Sequence, residues 1–534
     1  MQQHSRYVRT LALAATAMTL AATVPVGTQS VTRPKKQYTI EQFMNTIAIG
    51  GASFSPDESR ILFSSNRSGI WNAYTIPVTG GEWEPVTQST TDSTYAVAYF
   101  PGDDRILFTR DQGGNELNHL YVRTPDGQEK DLTPGDKLKA LFTGFTPEGD
   151  AFYVQTNERD PRFFDIYKYD AKTYERTLFY ENTEGFFPAE VSKDGKWVAL
   201  SKVITTSNTD IYLWNVDTRE TKHLTPHTTV AQYQPAAFDP ASTFLYYLTN
   251  DGSEFMRLKR YSLKDGRHEE VEKAEWDIVG VAFSKTGKYR AMAINEDGRP
   301  AIRIIETATG KPVEMPQMPA GGVAGIEISD SESALAFYLA GDRSPNDLYF
   351  MKLGGGKPVK LTDSLNPEID REDLVETEVV RFKARDGMTI PNILWKPHQA
   401  TPTNKAPALV WVHGGPGGQT TRGYNAVIQY LVNHGYVVLG INNRGSSGYG
   451  RTFFAADDQK HGREPLWDCV DAKKYLASLP YVDSSRVGII GGSYGGYMVL
   501  AAMAYQPDVF DVGVDIFGVS NWLRTLESIP AWWE

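Results

Sequence analysis

Apolar and polar positions recur over the first two thirds of the chain with a period of about 45 residues. Each copy has an apolar residue, a polar or proline-containing turn, and then a run of strand-forming residues. The first apolar position is occupied by Phe54, Tyr99, Phe145, Val191, Phe238, Phe283 and Ile328, at spacings of 45 to 47 residues. A second one follows 20 to 22 residues later, at Tyr74, Tyr121, Tyr167, Tyr212, Leu258, Ile304 and Tyr349.

This period fits one four-stranded propeller blade per copy, because the apolar runs are short strands separated by Gly/Asp turns. Seven copies predict a seven-bladed β-propeller over residues 45–362. The recurring apolar positions are interpreted as core residues between blades. The run Gly354-Gly355-Gly356-Lys357 is interpreted as an inter-strand turn, since no Ser or Thr follows the lysine as a phosphate-binding loop requires.

The pattern changes after the last copy. The acidic, irregular stretch from Asp363 to Glu378 indicates a connection between domains. Continuous Val/Ile/Leu runs then alternate with helical patterns, which predicts an α/β domain over residues 372–534 with a parallel sheet covered on both faces. The predicted strands are Ala408–Val412, Val437–Asn442, Val487–Ile490 and Val512–Phe517, and the predicted helices span about 468–479 and 494–505.

The N-terminus has the composition of a secretory signal. Arg6 and Arg9 precede an apolar run from Leu11 to Val24, which is too short to cross a bilayer, and small residues follow it. We expect residues 1–30 to be a cleaved signal peptide and the protein to be periplasmic or secreted, with no membrane span in the mature chain. An Ala-rich disordered terminus is the alternative interpretation.

Composition narrows the possible functions. The chain has 534 residues, 41% of them hydrophobic, as expected for a globular protein. Its net charge of -11 gives no basic surface for nucleic acid, so we expect no nucleic-acid partner. Cys469 is the single cysteine, which excludes an internal disulfide and a cysteine-based zinc site. No metal, nucleotide or flavin motif is found, and no cofactor is expected.

The candidate chemistry centres on Ser493. The run from Gly491 to Gly496 follows a predicted buried strand and opens a predicted helix. A G-x-S-x-G sequence in that setting is typical of a nucleophile elbow, where a sharp turn lifts the serine hydroxyl out of the sheet. The alternative is a glycine-rich turn whose serine only caps the helix.

An H-G-G loop supports the first interpretation. His413 to Gly417 end an early predicted strand, and such a loop offers a backbone N–H to a developing oxyanion. We assign the two oxyanion donors to the backbone N–H groups of Gly415 and Tyr494. His413 precedes the serine, whereas the triad of this fold class runs Ser, then Asp or Glu, then His. His413 is therefore interpreted as a structural histidine of the loop.

Three motifs that follow the predicted propeller in the sequence resemble those of the prolyl oligopeptidase family of serine peptidases. They are residues 413–416, 443–450 and 491–498. The HGGP loop is most similar to acylaminoacyl-peptidase and dipeptidyl-peptidase-like bacterial members. The resemblance implies hydrolysis of short peptides through Ser493, with the propeller restricting substrate size, and makes a homodimer plausible. It also implies that Val519 and Trp522 line the substrate pocket, although both could equally be core residues.

The sequence departs from that family at the catalytic base. All nine histidines, at positions 4, 119, 223, 227, 268, 398, 413, 434 and 461, precede Ser493, and 41 residues follow it. Asp508, Asp511 and Asp515 come too early for the family's acid and are interpreted as surface or strand-end residues. We therefore expect a C-terminally truncated serine peptidase, inactive as the 534-residue chain. The alternatives are an inactive propeller binding protein and an esterase for small acyl esters.

Overall fold

The computed structural model describes residues 36–316 and 318–529, so the predicted signal peptide at residues 1–30 lies outside the described residues. Seven antiparallel sheets follow one another between Ile49 and Lys360, as predicted for a seven-bladed propeller. The strands are β1–β4 (Ile49–Phe54, Arg60–Ser65, Asn72–Pro77, Glu84–Pro85), β5–β8 (Thr94–Tyr99, Ile106–Arg110, His119–Arg123, Glu129–Asp131), β9–β12 (Ala140–Phe145, Ala151–Asp160, Phe163–Asp170, Arg176–Tyr180), β13–β16 (Phe187–Val191, Trp197–Thr205, Asn208–Asn215, Thr221–His223), β17–β20 (Tyr233–Phe238, Phe244–Thr249, Arg257–Ser262, His268–Glu272), β21–β23 (Ile278–Phe283, Tyr289–Glu296, Arg299–Glu306) and β24–β27 (Gly322–Ile328, Ala334–Gly341, Ser344–Lys352, Val359–Lys360).

The two recurring apolar positions have fixed places in every blade. The first lies at the C-terminal end of the first strand, as Phe54 does on β1, and the second lies on the third strand, as Tyr74 does on β3. First strands of most adjacent blades contact one another, and residues of all seven first strands line the central channel. Leu258 and Ile304 are buried between blades, as their pattern predicts. The sequence period of 45 to 47 residues therefore corresponds to one blade of the propeller.

A threonine after the fourth strand closes several blades. In blade 4 the Thr225 hydroxyl accepts the Ile211 N–H at 2.9 Å and donates to Asp210 Oδ1 at 3.1 Å. The same two bonds recur in blade 1 around Thr87 and in blade 7 around Thr362. We call this arrangement the threonine clasp. It satisfies a buried carboxylate or amide while tying the third strand to the chain that leaves the blade.

Blade 6 differs from the four-stranded prediction. Its sheet contains three strands, and an isolated bridge between Ile305 and Pro312 stands where a fourth strand would pair. The prolines at positions 312, 316 and 319 explain this difference, because a proline has no N–H to donate to the sheet. The expectation of four strands in every blade was therefore wrong for this blade.

Blade 7 closes the ring against blade 1 through side chains. Each of the two blades is built from consecutive strands, so no strand is exchanged between them. Ile61 and Phe63 of blade 1 pack against Ala336 and Leu348 of blade 7. The Tyr338 hydroxyl donates to the Gly51 carbonyl oxygen at 2.5 Å. Ring closure therefore depends on packing between neighbouring faces.

The second domain contains a six-stranded sheet in the order β28-β29-β31-β30-β32-β33. The last four are parallel, as predicted, whereas β28 and β29 pair antiparallel and were not predicted. The strands are β28 (Thr377–Lys383), β29 (Thr389–Trp395), β30 (Ala406–Val412), β31 (Val437–Ile441), β32 (Val482–Gly492) and β33 (Gly513–Ile516). The helices are α1 (Ile40–Met44), α2 (Ala426–Asn433), α3 (Arg451–Phe454), α4 (Glu464–Ser478), α5 (Tyr494–Tyr505) and α6 (Trp522–Ser528), with 3-10 turns at Arg371–Asp373 and Ala455–Asp457.

The sheet core explains the uninterrupted apolar runs. Val410 and Val412 on β30, Leu439 on β31 and Ile489 on β32 are almost fully buried, because helices cover both faces of these strands. Helix α4 begins four residues before its predicted start, with Pro465 in its first turn, where a missing N–H carries no penalty. None of the helices among the described residues is both long and apolar enough to cross a bilayer.

The segment before the propeller belongs to the α/β domain. Thr39 and Gln42 form a capping box at the start of α1, and Phe43 is buried against α2. The Tyr38 N–H donates to Asn433 Oδ1 at 2.9 Å, and its hydroxyl donates to Asp373 at 2.7 Å. Both ends of the propeller therefore connect to elements packed on the same domain.

The propeller faces the α/β domain with the hairpins that join second and third strands. In blade 6 the Arg422 N–H donates to the Gly298 carbonyl at 2.8 Å. In blade 5 Glu254 accepts the Thr452 hydroxyl at 2.8 Å, and in blade 4 the Ser207 hydroxyl donates to Asp458 at 3.3 Å. The opposite ends of these strands form the distal face of the propeller.

Candidate active site

Ser493 occupies a strained turn between β32 and α5. Its backbone has φ 56° and ψ −120°, a region that residues other than glycine rarely adopt, and its side chain is exposed. The Ser493 N–H donates to the Ile516 carbonyl at 3.1 Å, which ties the turn to the neighbouring strand β33. None of the described residues hydrogen bonds to the Ser493 hydroxyl. The turn therefore presents a free hydroxyl at the carboxyl edge of the sheet.

The flanking glycines are required by close backbone contacts. A Cβ added to Gly495 would lie 2.2 Å from the Val412 carbonyl oxygen, and one added to Gly491 would lie 2.6 Å from the Gly495 carbonyl carbon. Contacts this short do not occur between real atoms, so both positions exclude a side chain. The first turn of α5 thus lies directly against the end of β30.

The H-G-G loop after β30 lies beside the serine. A Cβ on Gly414 would lie 3.5 Å from Ser493 Cβ and 3.9 Å from Ser493 Oγ. Gly415, whose N–H is a predicted oxyanion donor, has φ +132°, which favours glycine. The other predicted donor, the N–H of Tyr494, is the first of α5, and the first N–H groups of a helix have no partner within the helix.

His413 fixes this loop. Its Nδ1 lies 2.7 Å from the Gly414 carbonyl oxygen, which can only accept, so Nδ1 carries the hydrogen. Because a trans peptide places C=O and N–H on opposite sides, this bond directs the Gly415 N–H away from the imidazole. Nε2 lies 2.8 Å from Ser446 Oγ, and burial lowers the pKa of His413. The ring therefore has the structural place expected from its position in the sequence.

A second histidine lies close to the elbow and was not predicted. His461 Nδ1 lies 2.9 Å from the hydroxyl of Tyr494, and its ring stacks on Trp522 with centroids 6.3 Å apart. Desolvation lowers the pKa of His461. No sequence signal marks this residue, because it is 32 positions before Ser493 in a loop without a motif.

The two predicted pocket residues have different surroundings. Trp522 is half-buried and packs edge-on against Tyr497, with centroids 5.2 Å apart, and against Tyr494. Val519 is half-buried in the connection between β33 and α6. Trp522 therefore lies next to Tyr494, the residue that follows the serine. Val519 belongs to the segment that leads to Trp522.

The acids near the end of the chain have partners outside the elbow. Asp511 accepts the Val487 N–H at 2.8 Å, Asp515 accepts the Gly518 N–H at 2.9 Å, and Asp508 is exposed. Within the described residues, no carboxylate and no imidazole hydrogen bonds to Ser493. The elbow and the H-G-G loop thus lie together in this part of the chain, and none of the described residues places a base in contact with the serine.

A buried charge cluster supports the loop after β31. The Arg444 guanidinium donates to both oxygens of Asp468, at 2.9 and 2.8 Å, and to Asp386 at 2.7 Å. Arg444 and Asp468 are almost fully buried. Two residues later, Ser446 Oγ lies 2.6 Å from the Asn443 carbonyl oxygen and 2.8 Å from His413 Nε2. The cluster therefore fixes the residues that hold the H-G-G loop.

Comparison with known proteins agrees with both domains. The sequence profile described as "Prolyl oligopeptidase, N-terminal beta-propeller domain" matches residues 87–364, and the profile described as "Prolyl oligopeptidase family" matches residues 422–534. The chain is 29% identical over 499 residues to dipeptidyl aminopeptidase BIII of Pseudoxanthomonas mexicana, which covers 90% of this chain and 71% of that protein.

A second relative and a solved structure support the same two-domain assignment. Dipeptidyl peptidase family member 6 of Caenorhabditis elegans is 26% identical over 525 residues, covering 90% of this chain and 70% of that protein. The structure of a puromycin-hydrolyzing peptidase of Mycobacterium tuberculosis superposes with a TM-score of 0.77 at 16% identity, over 93% of this chain and 82% of that one, a likeness in fold. With a propeller profile that covers more than half of its length, the chain belongs to the prolyl oligopeptidase family of serine peptidases.

Proposed function

We propose that the chain carries the nucleophile and the oxyanion-binding groups of a peptidase that cleaves short peptides through Ser493. The observation that carries the proposal is the backbone of Ser493, held at φ 56° with its hydroxyl exposed. A serine that only capped the helix would accept a hydrogen bond from the first turn, and this one makes no side-chain cap bond.

The geometry supports an acyl transfer. The Ser493 oxygen would attack the carbonyl carbon of the scissile bond, and the backbone N–H groups of Gly415 and Tyr494 would stabilise the oxyanion. The C–N bond would then break, the amine product would leave with a proton, and water would hydrolyse the acyl-enzyme. A base must remove the serine proton, and the described residues place none beside it, so we propose that the 534-residue chain alone gives background rates.

Labelling by a fluorophosphonate tests the nucleophile. The chain is treated with the probe, with and without imidazole as a diffusible base, and the modified peptide is located by mass spectrometry. We expect imidazole-dependent modification of Ser493, none in Ser493→Ala, and unchanged labelling in Ser485→Ala, an exposed serine outside the site. Modification of another serine, or none at Ser493 in the folded protein with imidazole present, would contradict the proposal.

We also propose that the propeller limits substrate size. Its α/β-facing hairpins reach the α/β domain at the loop that carries Asp458 and His461, so a substrate has to enter between closely spaced elements. With imidazole present, peptide anilides and a folded protein would be compared as substrates. Equal cleavage of both would refute the size limit.

The N-terminal residues supply a separate proposal. Residues 1–30 have the charge and apolar pattern of a signal peptide, and we propose export to the periplasm or the medium with removal of this segment. N-terminal sequencing of the protein from each cell fraction checks it. A cytoplasmic protein that retains Met1 would contradict it.

A further inference from the structure

One position of the blade repeat is exposed in six of the seven blades, near the N-terminal end of the first strand. It lies four residues before the first recurring apolar position, on the first strand of every blade. We call the seven residues at this position the inner ring: Gly50, Tyr95, Leu141, Phe187, Gln234, Val279 and Ala324.

Three consecutive blades place large apolar side chains on this ring. Tyr95 is 36% exposed, Leu141 43% and Phe187 41%, and Val279 on blade 6 is 55% exposed. Side chains of this size are normally buried in a folded protein, and contiguous exposed ones mark binding surfaces. We call Tyr95, Leu141 and Phe187 the apolar arc.

The apolar arc lies at the end of the channel that faces the α/β domain. Tyr95 pairs with Thr109, one residue before the end of β6, and Phe187 pairs with Ser201 on β14. Both partners therefore lead to the hairpins that face the α/β domain. The blade 4 hairpin also exposes Val203 and Ile204, at 49% and 57%.

The same hairpin leads toward the elbow. Its tip residue Ser207 hydrogen bonds to Asp458, three positions before His461. His461 in turn contacts the Tyr494 hydroxyl, and Tyr494 follows Ser493. The apolar arc therefore belongs to the propeller surface on the side of the candidate nucleophile.

The other end of the channel carries charged as well as apolar side chains. A cavity of about 950 Å³ opens there, and charged side chains lie around it, including Glu190, Lys193, Lys285 and Glu327. Lys193 lies 3.8 Å from Glu190. The distal end therefore combines charged side chains with apolar ones, among them Phe54, Phe145 and Phe283, whereas the inner ring at the other end contains no charged residue.

We propose that the apolar arc binds apolar side chains of the peptide substrate at residues remote from the scissile bond. This inference rests on the proposed peptidase function and adds a substrate class: short peptides with a pair of leucine-like side chains away from the cleaved bond. A peptide suits this surface because the blade 4 hairpin joins the arc side of the propeller to the loop beside the elbow, and apolar side chains of a peptide would remove water from the arc.

Binding to the Ser493→Ala variant tests the inference without turnover. The probes are two octapeptides of alanine, one with a leucine pair and one with a serine pair at the same terminal positions, prepared for each terminus and titrated by calorimetry. We expect the better leucine peptide to bind at least about tenfold more tightly than its serine counterpart, since each buried leucine is worth that factor or more.

Two substitutions in the arc provide the comparison. Leu141→Ser with Phe187→Ser should reduce the leucine preference to less than about threefold. Leu178→Ser is the matched control, because Leu178 is 46% exposed on β12, the outer strand of the blade that contains Leu141. Tyr95→Ser is a second, milder test of the arc. Thermal unfolding of each variant shows whether it is folded.

Three results would overturn the inference. The first is equal or undetectable binding of both peptides by the Ser493→Ala protein. The second is an unchanged leucine preference in folded arc variants, and the third is an equal loss of that preference in the Leu178→Ser control. None of these results depends on the reactivity of Ser493, which the fluorophosphonate experiment measures separately. A failure of the arc can therefore be distinguished from a failure of the proposed peptidase function.

Discussion

Substitution of Gly495 by alanine tests how the elbow is held. The added Cβ would lie 2.2 Å from the Val412 carbonyl oxygen and 2.9 Å from the His413 carbonyl oxygen. Both oxygens belong to the backbone that leads into the H-G-G loop. The methyl group therefore cannot be accommodated by a side-chain rotation, and either α5 or the loop has to move.

The size of the movement follows from the contact. A relaxed Cβ contact is 3.4 Å or longer, so Val412 and Gly495 have to separate by more than about 1 Å. A misplacement of about 1 Å at a reacting group costs roughly 10²-fold in rate. The strained packing also lowers the free energy of unfolding by about 1–3 kcal/mol, although alanine is intrinsically favoured over glycine in a helix by up to about 1 kcal/mol.

The assay is the rate of fluorophosphonate labelling of Ser493 at fixed imidazole concentration, together with the midpoint of thermal unfolding. Gly492→Ala is the matched control, because a Cβ there meets its nearest atom, the Ile516 carbonyl oxygen, at 3.5 Å, an ordinary contact. We expect the control to label within about threefold of the parent, as surface-compatible substitutions do.

One outcome would contradict this role of Gly495. If Gly495→Ala labelled Ser493 as fast as the parent and unfolded at the same or a higher temperature, helix propensity would dominate. The close approach of α5 to β30 would then have no role in positioning the nucleophile.

Two further predictions concern buried charges. Arg444→Met leaves Asp468 buried without its charged partner and should lower the free energy of unfolding, measured by denaturant titration, by about 3–5 kcal/mol. The control is Arg267→Met, which should change this free energy by less than about 1 kcal/mol because the pair of Arg267 with Asp265 is exposed. Equal effects would contradict this account. Burial raises the pKa of Asp457 to about 6, so the folded protein holds a proton that the unfolded chain has lost, and the free energy of unfolding falls as pH rises from about 4 through 6. Asp457→Asn should therefore gain stability relative to the parent by up to about 2 kcal/mol between pH 4.5 and 8, and parallel pH profiles would exclude it.

The propeller could be predicted because its repeat is local. Each blade places an apolar residue at the end of its first strand and another on its third, so the spacing survives in the sequence without any knowledge of contacts. The missing strand of blade 6 also has a local cause, because the prolines at positions 312, 316 and 319 are visible in the sequence. The threonine clasp also leaves a trace, an apolar residue followed by threonine near the end of a copy, as at Leu224-Thr225 and Leu361-Thr362.

The site could be predicted only in part. Ser493 and Gly415 lie in motifs whose glycines are required because neighbouring backbone leaves no room for a side chain. These glycines are visible in the sequence. His461 could not be found, because its contact with Tyr494 is made by a loop whose path depends on tertiary packing. The antiparallel pairing of β28 and β29 was missed for a similar reason, since an apolar run does not specify the direction of its partner.

The closure between blades 7 and 1 gives the α/β domain a second role. A ring without strand exchange behaves as a long loop whose two ends are brought together, and the entropy of that closure must be overcome by whatever holds the ends. Here the entering end is held through Tyr38 and α1, and the leaving end continues past Asp373 into β28. The α/β domain therefore holds both ends of the propeller segment, which spans Ile49 to Lys360, and we expect that loosening this domain would weaken the contact between Tyr338 and Gly51 that closes the ring.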